Sequence, residues 1–244
     1  MMDDLTVLYI TANEMPRGWM DYQLKHLIKA IGNVPVVSVS RAPMQFGTNL
    51  LDTEPEKSYW NIYRQMLRAA KVAKTIYVAM AEDDTLYSKE HFTQFRPTLD
   101  QVSYNRSRWS LFSWDPVFCL RQRVSNCTLI APRQLLIDAL QEREDKYPNG
   151  HDYAGEVGRW KVERTLGVTE HKAVDWFSTV PVIQLNHPQG IDETQQRQWK
   201  KHGQIKAYHI PHWGKSRNIA RIYNEARTDG SSNQESLQNK RAAN

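Results

Sequence analysis

The chain has 244 residues, 40% of them apolar and 24% charged, with a formal net charge of +5. That length and composition suit one large α/β domain, or a domain and a half, with a substantial core, and they exclude a disordered chain. No apolar run approaches the ~18 residues a membrane helix needs. The acidic start Met1-Met2-Asp3-Asp4 lacks the basic and apolar regions of a signal peptide, so no membrane span and a cytoplasmic location are expected.

Leu5 to Ile10 reads as a first strand buried on both faces, ending at Thr11-Ala12-Asn13. Trp19 to Ile31 carries apolar residues at helical spacing, and Gly32-Asn33 is a helix stop. Pro35 to Ser40 is a second strand, and Arg41 to Glu56, with two prolines and a glycine, reads as loop. Lys57 to Lys74 is expected to be helical, with Tyr59, Ile62, Tyr63, Met66, Leu67 and Ala70 on its core side. Thr75 to Ala81 is a third strand that runs directly into Glu82-Asp83-Asp84. Strands alternating with helices imply βαβ units and a mainly parallel sheet. Ligands of such sheets bind outside the carboxyl ends of the strands, where Thr11–Asn13, Ser40–Arg41 and Glu82–Asp84 all fall.

Beyond residue 100 the pattern is less regular. Cys127 to Ile130 reads as a strand, Arg133 to Arg143 as a helix, Lys146 to Gly155 as loop, Glu156 to Leu166 as a helix and Val180 to Leu185 as a strand. Asn186 to Gly190 is a turn, and Arg227 to Asn244, polar and charged, reads as a disordered tail. The chain thus divides into 1–100, 101–225 and a tail of 226–244. The two cysteines, Cys119 and Cys127, have no metal-binding spacing and are expected to be free buried thiols.

Three consecutive carboxylates at a strand end repel one another unless a cation neutralises them. Mn2+ or Mg2+, which favour oxygen ligands and leave positions for phosphate, suit such a place. A solvated turn or a helix cap is the competing reading of the triplet. Tyr59-Trp60-Asn61-Ile62-Tyr63-Arg64-Gln65, then Tyr77 to Tyr87 with Glu82-Asp83-Asp84-Thr85-Leu86-Tyr87, then His91-Phe92, resembles bacterial and phage glycosyltransferases of the GT-A fold. Their variant of the DxD signature reads EDD-x-LY…HF. The resemblance implies a GT-A, Rossmann-like α/β fold with a mainly parallel central sheet flanked by helices and a smaller acceptor-side region. It also implies a nucleotide-sugar donor, UDP-linked, and a divalent cation on the diphosphate with Asp84 as ligand. The chain departs from the commonest pattern where Ser38-Val39-Ser40-Arg41 replaces an acidic residue after the second strand.

The remaining expectations follow from position. Thr11, Asn13, Glu14 and Arg41 stand where the family holds the nucleotide. Asn61 and Arg64, one helical turn apart, are placed to meet ribose or phosphate, and Glu82 and Asp83 complete the acidic edge. The family supplies a further metal ligand from a late His, which is His187, with His212 as competitor. An inverting transferase needs a carboxylate base; Asp152 and Glu156 are the first choices and Asp115 the third. Arg106, Arg108, Trp109 and Trp114 are read as lining an acceptor groove, with a half-buried strand as the alternative. The resembling family includes phage enzymes that glycosylate hydroxymethylated pyrimidines in DNA, and the basic surplus suits a DNA acceptor. A glycan or lipid-linked sugar is the second acceptor class. A non-catalytic nucleotide-binding module and a metal-dependent nucleotidyltransferase are the other classes; a Gly-rich phosphate loop, usual in the latter, is absent from Thr11–Gly18.

Overall fold

The structure is a computed structural model and describes residues 4–54, 58–188 and 203–228. Strand β1 (Leu5–Thr11) leads to helix α1 (Arg17–Ile31), which starts after Pro16 and stops at Gly32, where φ is 60°. Strands β2 (Val36–Ser40) and β3 (Thr48–Leu51) follow, then helix α2 (Tyr59–Val72). The Ser58 hydroxyl caps α2 by accepting the Asn61 amide at 3.0 Å. Strand β4 (Tyr77–Glu82), strand β5 (Thr85–Leu86) and the short helix α3 (Lys89–Thr93) come next. Strands β6 (Gln101–Asn105), β7 (Arg108–Phe112) and β8 (Phe118–Leu120) precede β9 (Leu129–Pro132) and helix α4 (Arg133–Lys146). Helix α5 (Trp160–Leu166), ended by left-handed Gly167, leads to β10 (Lys172–Trp176) and β11 (Val182–Asn186). Two-residue strands β12 (Lys206–Ala207), β13 (His209–Ile210) and β14 (Gly214–Lys215) precede helix α6 over 216–228.

The α/β class is borne out: seven strands form a central sheet in the order β10-β6-β9-β4-β1-β2-β3, parallel except for β9, with helices on both faces. Alternate residues of β1 and β4 feed two cores. Leu8, Ile10, Val78 and Met80 meet α2 and α4 on one side, and Leu5, Val7, Tyr9, Ala79 and Ala81 meet α1 and α3 on the other. A strand covered on both faces must be apolar at every position, which is why these two were legible as continuous apolar runs.

A second, five-stranded sheet runs in the order β12-β8-β7-β11-β5. Its register sets Arg108 beside Val182, Ser110 beside Gln184 and Phe112 beside Asn186. One face carries Arg108, Ser110, Gln184 and Asn186. The other carries Trp109, Leu111, Ile183 and Leu185, which join Trp19 of α1 and Ile219 and Tyr223 of α6 in a third core. Both sheets draw strands from either side of residue 100.

Several expectations are corrected. The 41–56 stretch contains β3, a four-residue edge strand whose partly exposed residues give no apolar signal. On α2 the core takes Trp60 rather than Tyr59, which is 60% exposed. Cys127 lies in a 3-10 turn, Asn126–Thr128, and the strand begins only at Leu129. Residues 156–159 are not helical: Gly158 sits at φ 79°, and the segment is tied down from outside. Helix α6 continues through Arg227 and Thr228; the rest of the expected tail, and Gln189 and Gly190 of the expected turn, lie outside the described residues. Cys119 and Cys127 are free and buried, as expected. Among the described residues no helix is long and apolar enough to cross a membrane.

Candidate functional site

From β1 the chain moves outward through β2 and β3, then returns to lay β4 on the other side of β1. The strand order reverses between β1 and β4, and ligands of open α/β sheets bind at the carboxyl ends of strands at such a reversal. Here Thr11 ends β1 beside Ser40, and Glu82 ends β4 beside Ile10. The two-residue turn Asp83–Asp84 then carries the chain from the large sheet into β5 of the small one. The triplet therefore stands where the two sheets meet.

The turn is held by groups from several elements. The indole Nε1 of Trp19 donates to the Asp83 carbonyl at 2.8 Å. The Gln23 amide donates to the carbonyls of Glu82 at 3.2 Å and Thr85 at 3.0 Å, while its oxygen accepts the Tyr9 hydroxyl. The Tyr87 hydroxyl accepts the Glu82 amide at 3.0 Å and donates to the Cys127 carbonyl. The Leu185 amide of β11 donates to the Asp84 carbonyl at 2.8 Å. Backbone groups satisfied from four sides give the carboxylates a fixed base, which is what a pre-organised site needs.

The Asp83 carboxyl accepts the Thr11 hydroxyl at 2.5 Å. Burial pushes the Asp83 carboxyl up to about 7; the Thr11 hydrogen bond opposes this, and the charges of Asp84 and Glu14 add to it. The hydroxyl of Tyr9, beneath, is pushed up by burial and then by Asp83 and Asp84. Asp84 Oδ1 accepts the Thr85 hydroxyl at 2.6 Å, and Oδ2 accepts the Gln184 amide at 3.3 Å. Among the described residues neither Asp83 nor Asp84 has a Lys or Arg partner, nor do three His, Cys, Asp or Glu side chains stand together in reach of one ion. Two adjacent carboxylates with uncompensated charge fit a divalent cation that takes its other ligands from water and phosphate oxygens.

Of the residues expected on the nucleotide side, Thr11 touches the turn directly, whereas Asn61 and Arg64 are engaged elsewhere in the fold. Asn13 adopts φ 57°, its amide donates to the Thr11 hydroxyl, and its side-chain oxygen accepts the Ala42 amide, each at 2.8 Å. It thus ties the ends of β1 and β2 together, with Glu14 exposed beside it. Arg41 donates to the Glu54 carbonyl. Asn61 is buried, and its amide donates at 2.9 Å to Asp52, which also accepts Gln65. Arg64 pairs with Glu144 at 2.9 Å and caps the Pro148 carbonyl. Asn61 and Arg64 line a hollow of about 350 Å³ between α2 and the end of α4.

On the opposite side, burial and then the charge of Glu156 push up the hydroxyls of Tyr63 and Tyr104, and Tyr63 also feels Glu82. The Glu156 carboxylate itself pairs with Arg159 at 3.0 Å. The segment around it is anchored by Arg143 to the Gly155 carbonyl, Tyr104 to the Val157 carbonyl and Glu163 to the Gly158 amide. Asp152 stands further out, exposed, in the loop with His151 and Tyr153. Asp115 is exposed beyond β7.

Arg106 pairs with Asp175 at 2.7 Å and donates to the Gln122 carbonyl. Arg108 is buried and donates to Gln184 and to the Arg123 carbonyl. Trp109 packs into the apolar face of the small sheet, while Trp114 is 45% exposed and stands edge-on to Phe112. His187 follows β11, two residues beyond Leu185, and packs its ring on Tyr223 of α6. His212 lies exposed in the β13–β14 turn against Trp213, on the side of His26 of α1.

Gln23 and Gln184 were not singled out from the sequence; Trp19 was read only as an apolar helix residue and Tyr87 only as part of the motif after the triplet. Gln23 did leave a trace: it falls between Trp19 and Leu27 at a spacing of four, so a polar residue sits inside the apolar stripe of a helix.

No protein-family model matches the chain, and no curated protein matches it. Solved structures resemble it distantly. The 2-C-methyl-D-erythritol 4-phosphate cytidylyltransferase of Thermus thermophilus is 12% identical, with 78% of this chain and 98% of that one covered and a TM-score of 0.48. S. aureus TarS in complex with UDP-GlcNAc is 11% identical, covering 75% of this chain and 59% of its own, with a TM-score of 0.45. A mannosyltransferase of Pyrobaculum calidifontis in complex with GDP-Man and Mn2+ is 13% identical, covering 80% and 60%, with a TM-score of 0.43. The chain spans less than two thirds of the length of either of these last two.

Proposed function

We propose that this chain transfers a glycosyl group from a nucleotide-diphosphate sugar, UDP-linked, to a hydroxyl acceptor, with Mn2+ or Mg2+ held at the Asp83–Asp84 turn. The observation that carries this reading is the placement of two carboxylates without a Lys or Arg partner among the described residues at the strand-order reversal, on a turn fixed by Trp19, Gln23 and Tyr87. A divalent cation there supplies Lewis-acid stabilisation of the leaving diphosphate. Asp84 and Asp83 are its ligands in this reading; His187, expected as a further ligand, packs on Tyr223 and does not stand with them around one ion. Thr11, Asn13, Glu14, Arg41, Asn61 and Arg64 form the nucleotide side. Glu156, on a segment anchored at three points and paired with Arg159, is the first choice of general base; Asp152, exposed in the loop, is second.

As acceptor we carry a hydroxymethylated pyrimidine in DNA, supported by the net charge of +5 and by exposed Trp114 as a stacking surface. Arg106 and Arg108 support it less, because both donate to groups of the fold itself. The test is incubation of the protein with Mn2+ and a panel of nucleotide sugars, with and without hydroxymethylated DNA. Glycosyl transfer releases a nucleoside diphosphate, and DNA-stimulated release is the expected result. Release of pyrophosphate from nucleoside triphosphate and a sugar phosphate would instead make the protein a nucleotidyltransferase. Diphosphate release that DNA leaves unchanged, but a glycan or lipid-linked sugar stimulates, would replace the acceptor and keep the reaction.

A further inference from the structure

Gln184 of β11 pairs through its backbone with Thr85, and its side-chain amide reaches the neighbouring Asp84 carboxylate at 3.3 Å. The other end of that amide accepts from Arg108, which lies on the same face of the sheet. Arg108 is 6% exposed and has no carboxylate partner among the described residues. A guanidinium can only donate and an ionised carboxylate can only accept. An amide between the two has one orientation that satisfies both, oxygen toward Arg108 and nitrogen toward Asp84. Flipping it would set an N–H2 against a guanidinium and an oxygen against a carboxylate. The buried cation thus fixes which end of Gln184 faces the acidic turn.

We infer that the Arg108–Gln184 pair is a positioning device for Asp84, orienting its carboxylate for a divalent cation. Gln184 holds Oδ2 and Thr85 holds Oδ1 at 2.6 Å, so the remaining lone pairs of Asp84 have a set direction. Neither Gln184 nor Arg108 is a ligand; each acts through the residue next to it. Groups that orient metal ligands in this way change metal affinity by roughly 10–100-fold when removed. The inference rests on the metal reading of the turn, and the two fail separately.

The test is Mn2+ affinity of the whole chain, read from the free-ion electron paramagnetic resonance signal, with the melting temperature as a check on folding. Gln184→Met keeps length and removes the amide; it is expected to weaken Mn2+ binding about 10-fold. Arg108→Met lets the amide turn and is expected to weaken binding by a smaller factor. Because the two residues act in series, Arg108→Met adds nothing in the Gln184→Met background. A Gln184→Met protein that binds Mn2+ as tightly as the parent overturns the inference, whatever its melting temperature, and leaves the metal site standing. Full additivity of the two substitutions also overturns it. A parent protein that takes up no Mn2+ removes the metal reading, and the positioning role goes with it.

Discussion

In the large sheet, β1 and β4 are apolar on both faces because helices cover both; in the small sheet, β7 and β11 are apolar on one face and carry Arg108, Ser110, Gln184 and Asn186 beside Phe112 and Val182 on the other. The first arrangement makes a rigid platform that presents chemistry only at strand ends. The second presents chemistry along the strands, so Gln184, held by Arg108, reaches the acidic turn sideways while Leu111 and Leu185 hold the sheet down. Asp83–Asp84 belongs to neither, being the crossing between them. A site built at a seam can take its ligands from one sheet and their orientation from the other.

The largest test of that comparison is the crossing itself. Asp84→Ala is expected to lower donor turnover by at least two to three orders of magnitude, a loss typical of removing a transition-state charge stabiliser. The melting temperature should stay within a few degrees, because Asp84 is partly exposed and its backbone contacts survive. Activity retained in Mn2+ would make the turn structural only.

Truncating one fully buried leucine in each sheet asks whether the two sheets fold as one. Leu8→Ala and Leu111→Ala should each cost about 2–5 kcal/mol of stability in denaturant titrations, from lost burial and the cavity left behind. A single transition in both variants means a shared unit. A separate early transition in Leu111→Ala alone would mean that the small sheet opens by itself and that the seam is a hinge.

A smaller effect concerns α3, whose His91 packs on Tyr87 just behind the turn. His91 of α3 is fully buried against Trp176, Phe92 and Asn105; burial, and then the charge of Arg96, lower its imidazole to about 3. Its folded value lies below the unfolded one, so the unfolded chain binds the extra proton as pH falls below ~6.5. Stability from this group is present above that pH and is lost on acidification, by about 3 kcal/mol near pH 4. His91→Phe should move the acid-unfolding midpoint to lower pH. An unchanged midpoint would mean that acid opens the small sheet or the carboxyl edge first.

The strands and helices through Glu82, except the half-exposed edge strand β3, were legible because burial on both faces writes itself as unbroken apolar runs, and because Gly32 and the spacing of α1 mark a helix and its end. The triplet was legible for the same reason: an apolar strand delivered it. The small sheet was obscure. Its strands are two to five residues long and their polar face looks like loop, so Arg106, Arg108, Trp109 and Trp114 read as one cluster although the fold sends them to different places.

The sequence by itself determined the parallel α/β platform and the acidic end of β4, because both depend on local pattern and on which side chains must leave water. Only the tertiary structure decided that β4 abuts β1, that Gln23 and Trp19 pin the turn, and that Gln184 stands between Arg108 and Asp84. Those are contacts between residues 59 to 100 positions apart along the chain, and they are set by how the two sheets and α1 come together. A polar side chain carries no mark in the sequence of the partner that folding will bring to it.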